Sequence, residues 1–148
     1  MSDTRFNPKV LSDIDRQHCQ LHAVLQALQN RIKSQDHPDR SLISLLNALA
    51  THLQTHFEFE EAEDYFPELT LQAPRFGRRI EQLIAEHREM LEEVGELVEM
   101  AKRAFEGKCE MRSIAQGFES LQEKLTAHEH NENELLQIVY TEDIGTHD

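Results

Sequence analysis

Four stretches of this chain place apolar residues alternately three and four positions apart, the spacing that lines one face of an α-helix. The first follows Ser12, a residue suited to an N-cap, and reads Ile14, His18, Leu21, Leu25, Leu28, Ile32. A second starts near Ser41, reads Leu42, Leu46, Leu49, Leu53, His56, Glu60, Glu63, and stops before Pro67. Pro67 and Pro74 are expected to bracket a loop, ELTLQA. The third stretch reads Ile80, Leu83, His87, Met90, Val94, Leu97, Ala101 and should end near Gly107. The fourth reads Met111, Ile114, Phe118, Leu121, Leu125, His128, Glu132, Leu135, Val139. Strand-like alternation is absent, and short connections make consecutive helices antiparallel neighbours. The expected fold is therefore all-α, an up-down-up-down antiparallel four-helix bundle. The 148 residues fit a single domain, residues 1–148, with its helical core over about 12–140.

The seams of these helices carry residues that a core does not want. A lone histidine on an apolar stripe is more often satisfied by a backbone carbonyl than by a ligand, but His18, His56, Glu60, His87, His128 and Glu132 all lie on seams. An unpartnered buried carboxylate costs several kcal/mol, and no Lys or Arg shares the seam near Glu60 or Glu132. In the expected bundle His18 and Glu60 lie about 9 Å from the same end, and His87, His128 and Glu132 about 12 to 18 Å from it. Within His56/Glu60 and His128/Glu132 the spacing of four stacks both side chains on one face. Four imidazoles and two carboxylates converging from four helices suit metal: imidazole favours iron, zinc or copper, and carboxylates bridge cations. Six ligands exceed what a tetrahedral zinc needs and fit two metals, with Glu60 and Glu132 bridging. Iron is the first choice, ahead of zinc or manganese. The ferritin-like carboxylate proteins build such sites with Glu-x-x-His, whereas Asp15, Leu53, Ile84 and Leu125 stand three residues before the four seam histidines.

The chain also echoes itself. LATHLQTHFEFE (49–60) and LQEKLTAHEHNE (121–132) share L-x3-L-x2-H-x3-E, and IDRQH (14–18) and LIAEH (83–87) share an apolar residue four before a histidine. Each half is one helix pair, as a duplicated αα-hairpin would be.

Charge and composition remove several classes of function. Asp and Glu (28) outnumber Lys and Arg (15), for a formal charge of −13, so the basic footprint that nucleic acid or an anionic membrane requires is missing. No apolar stretch approaches the length of a membrane span, and the first residues do not read as a signal peptide, which gives a cytoplasmic expectation. Cys19 and Cys109 lack the spacing of a zinc site and read as reduced thiols.

With these residues in view, the chain resembles the hemerythrin-like family in its HHE cation-binding form. The resemblance runs from about Ile14 to Tyr140 and rests on H…HxxxE…H…HxxxE, with HFEFEEAEDYF especially typical. It implies a non-haem di-iron centre with oxygen or a similar diatomic as ligand. The family's ligands fall on His18, on His56 and Glu60, on His87 and on His128. Oxygen-carrying members have a second histidine four residues after the first on helix three, where this chain has Leu91. Their helix-four Asp corresponds to Asn133, and this chain places Glu132 one residue earlier. His22 is the candidate replacement imidazole, although it also reads as a surface residue. Glu63 reads equally as an accessory ligand or a solvated helix end, and His52 and His130 read as surface residues.

Three functions follow. The first is a binding protein whose two iron ions sense, carry or store dioxygen, nitric oxide, peroxide or iron itself. The second is a di-iron oxidoreductase acting on peroxide, oxygen or ferrous iron, and the third is a metal-free helical interaction module. No residue beyond the metal set reads as catalytic, and no separate cofactor-binding motif or protein partner is legible.

Overall fold

The computed structural model describes residues 8–34 and 38–145, with side chains described up to 141. Four long helices, α1 (Pro8–Ser34), α2 (Arg40–Glu61), α4 (Gly77–Phe105) and α5 (Met111–Gly145), form an antiparallel bundle, and no strand occurs among the described residues. The fold class is the one the periodicity predicts. Every expected apolar seam residue of α4 is buried, as are those of α2 and, apart from half-buried Met111, of α5.

Two boundaries differ from the expectation, and the start of α2 lies at the expected place near Ser41. Ser12 lies within α1, which is already helical at Pro8, so it does not cap the helix. Asp39, one residue before Arg40, caps α2 by accepting a hydrogen bond from the Leu42 amide at 2.9 Å. The connection between α2 and α4 is not a short loop: α3 (Phe66–Gln72) and a 3-10 turn (Pro74–Phe76) occupy it. Pro67 sits in the first turn of α3, where its N–H would be unbonded anyway, so it starts a helix there. Gly107 does end α4, at φ +79°. Its amide bonds the Ala104 carbonyl at 3.0 Å and the Lys108 amide bonds that of Arg103 at 2.7 Å, a Schellman closure.

The interior is two apolar clusters. The larger runs through Leu21, Leu25, Leu28, Leu42 to Leu53, Phe57, Met90 to Ala104 and Ile114 to Leu125. The smaller contains Val10, Ile14, Tyr65, Phe66, Leu69, Ile80, Leu83, Leu135 and Val139. On α1, α4 and α5 a seam histidine or carboxylate falls where one cluster gives way to the other, and on α2 His56 and Glu60 bracket the same level. A polar layer thus crosses the bundle, and α3 closes the end beyond it with Phe66 and Leu69.

Candidate metal centre

All six seam residues meet in that layer. Two groups form: His18, His56, Glu60 and Glu132, and then Glu60, His87 and His128, each with one ligand-type atom per residue lying within 4.8 Å of the rest. Glu60 belongs to both. One of its oxygens is 3.3 Å from His56 Nε2 and the other 2.9 Å from His87 Nε2. Five of the six residues are at most 3% exposed, and the His18 side chain, at 12%, is the one that borders solvent.

The imidazoles all turn Nε2 inward. His18 and His56 bring these atoms to 3.1 Å, and His87 and His128 to 3.2 Å. Their Nδ1 atoms face acceptors: His56 Nδ1–H donates to Gln17 Oε1, His87 Nδ1–H to Glu61 Oε2 and His128 Nδ1–H to Glu86 Oε1, each at 2.7 Å. An imidazole that donates from Nδ1 in its neutral form has a lone pair at Nε2. The His87/His128 pair therefore sets two lone pairs against one another, with the Glu60 carboxylate alongside. With neutral rings, both Glu60 oxygens and Oε1 of Glu132 have no hydrogen-bond donor. A cation bonded to these nitrogens and oxygens satisfies all of them at once, so the residues present fit a metal.

Protons can answer the same need. Burial, together with the charge of Glu60 and a hydrogen bond to it, pushes the Glu132 carboxyl well above the usual carboxylate range. Burial works to raise Glu60 also, but hydrogen bonds with Glu132 and with His128, His56 and His87 outweigh it and hold Glu60 well below that range. His128 is raised: burial opposes its protonation, and Glu60 and Glu86 more than compensate. His18 is lowered, by burial first and by His56 second. Glu132 and His128 thus hold protons more readily beside the Glu60 charge, while Glu60 and His18 give theirs up more readily.

The acceptors behind the imidazoles form a ring that the seam pattern does not reveal. Gln17 of α1 serves His56 of α2, Glu61 of α2 serves His87 of α4, and Glu86 of α4 serves His128 of α5. Glu129 of α5 completes the circuit towards His18 of α1, at 3.9 Å from its Nδ1. On α1 and α4 the partner precedes a seam residue by one, and on the opposed α2 and α5 it follows one by one. Reversing the helix direction reverses the sense of a 100° step, so each partner leans towards the next helix in the same rotation. A polar residue flanking each seam ligand was the available signal.

The seam pattern does not reveal Tyr65 either. Fully buried, its hydroxyl donates to Glu132 Oε2 at 2.5 Å, and burial and the two carboxylates raise its own pKa well above the ordinary phenol value. Phe57 stacks on His87, with centroids 3.9 Å apart and planes 7° from parallel.

The remaining candidates lie outside both groups. His22 is exposed and sits 3.0 Å from Glu129 Oε2, His130 is exposed beside Glu134, and Glu63 is exposed past the end of α2. His52, expected on the surface, is half-buried. Asn133 is exposed while Glu132 faces inward, and Leu91 packs against the larger apolar cluster.

Comparison with known proteins agrees with this geometry. A family model described as the hemerythrin HHE cation-binding domain matches residues 9–138. No curated protein and no solved structure matches the chain.

Proposed function

Since the chain belongs to the hemerythrin HHE cation-binding family, we propose that it is a non-haem di-iron protein that binds dioxygen, nitric oxide or peroxide as a small ligand. The observation that carries this reading is Glu60: buried, shared by both groups, and without a donor on either oxygen when the imidazoles are neutral. His18, His56, Glu60 and Glu132 would hold one ion and Glu60, His87 and His128 the other, Glu60 bridging. Iron, when bound, supplies redox chemistry and open positions for a diatomic ligand.

The protein's own part is to fix and to shield. Gln17, Glu61 and Glu86 orient three of the four rings, and Tyr65 holds one oxygen of Glu132. Phe57, Phe66 and the leucines of both clusters keep bulk water from the His87 and His128 side. With Leu91 directed into the apolar cluster, an ion held by Glu60, His87 and His128 would lack the nitrogen that a second helix-three histidine would give it. Iron held in this way would be oxidised by air without reverting when oxygen is withdrawn. The test is an optical spectrum of the iron-loaded protein, reduced and then exposed to air. The expected result is a ferric absorption that persists when oxygen is removed, and Leu91→His should slow its appearance. Full reversibility through repeated cycles would contradict this reading.

A further inference from the structure

The partners behind the imidazoles are unequal in charge, and the inequality follows the two groups. The group of four has two carboxylates among its own members, Glu60 and Glu132. The hydrogen bonds that reach it from outside are to neutral groups: Gln17 Oε1 on His56, and the Tyr65 hydroxyl, which donates to Glu132. The charged candidate, Glu129, is 3.9 Å from His18 Nδ1 and spends its Oε2 on His22 at 3.0 Å. The group of three has only Glu60 as a carboxylate, yet both of its rings donate to carboxylates at 2.7 Å, His87 to Glu61 and His128 to Glu86.

We infer that Glu61 and Glu86 are positioning residues that supply, through His87 and His128, the negative charge this three-residue position lacks among its own ligands. The inference rests on the reading that each group holds an iron ion. Two ferrous ions bring four positive charges into a buried layer; Glu60 and Glu132 cancel two and Glu61 and Glu86 the other two. A carboxylate accepting from Nδ1 fixes the ring and raises the basicity of Nε2, which strengthens its bond to a cation. Gln17 fixes its ring without adding charge, which suits a position already served by Glu132. Glu61 and Glu86 are 40% and 23% exposed at their side chains, so each can be altered without opening a hole in the core.

The experiment is anaerobic titration of the full chain with ferrous ion, followed by potentiometry with ferricyanide and mediators. In each step one ferrous ion becomes ferric and one ferricyanide becomes ferrocyanide. Glu61→Gln and Glu86→Gln should each weaken one of the two ions about 10- to 100-fold, leave the other within about threefold, and raise the potential of the same one-electron step. Gln17→Glu and Tyr65→Phe, which increase electron density on the other group, should lower the other step. A purely structural role would alter the melting temperature and leave both potentials in place. A wild-type chain that binds two ions, but whose Gln variants lose both equally, lose neither, or shift the step that Gln17→Glu shifts, overturns the inference alone. A wild-type chain that binds fewer than two ions overturns the di-iron reading and this inference with it, and the first titration shows it.

Discussion

His128 and His130 are two residues apart on α5 and have opposite fates. His128 is 2% exposed with Nε2 in the polar layer, whereas His130 is 75% exposed beside Glu134. His128→Ala should abolish metal at one position at least and lower the melting temperature of the metal-loaded protein, because Glu60 loses the buried cation and Glu86 its Nδ1–H donor. His130→Ala should change stability by no more than about 0.5 kcal/mol and keep the metal. Elemental analysis and thermal unfolding of the two variants check this, and equal loss in both would contradict the assignment of the inward face. The inward six were legible in the sequence because a histidine or carboxylate at a core position of a 3.6-residue repeat has no apolar explanation. Gln17, Glu61 and Glu86 were not, because a polar residue one step off the seam looks like any solvated neighbour until the next helix is in place. Tyr65 lies outside every helical repeat, so its hydroxyl could be aimed only by the structure.

Among the elements, helix faces are more legible in the sequence than helix ends. Burial repeats over many residues and averages its own noise, while a start or stop rests on one cap. Ser12 has the chemistry of an N-cap, yet the chain is already helical four residues earlier, at Pro8. Pro67, a stop signal by its sequence, is the second residue of α3, because proline breaks a helix interior and is tolerated in a first turn. The internal echo holds for the inward pairs and fails for their partners: Phe57 and Glu61 of α2 correspond to Glu129 and Asn133 of α5. Gly107 is the end that was read correctly, and its φ of +79° has a definite cost for any other residue. Gly107→Ala should destabilise the protein by about 1 to 2 kcal/mol without altering metal content, since it lies at the end of α4 remote from His87. Denaturant unfolding with parallel metal analysis checks this.

For the whole molecule, the polar layer between two apolar clusters makes stability depend on what neutralises it. In the metal-free protein Glu132 has a raised folded pKa, so its contribution is full below the ordinary carboxylate value and is lost as pH rises through the folded value. His128, also raised, contributes below the ordinary imidazole value and loses that contribution as pH rises. Glu60 is depressed and loses its contribution only in acid below the ordinary carboxylate range, and His18, being lowered, opposes His128 in part. Between about pH 5 and 7 the metal-free protein should therefore weaken as pH rises. Metal displaces the protons involved and removes this dependence. Chelation should lower the melting temperature more at pH 7 than at pH 5, and an equal drop at both values would contradict the role assigned to Glu132. The central claim, that Glu60 joins two metal positions in one buried centre, is tested most directly by elemental analysis of protein reconstituted anaerobically with ferrous ion. Two iron ions per chain are expected, and a reproducible value of one or fewer would contradict it.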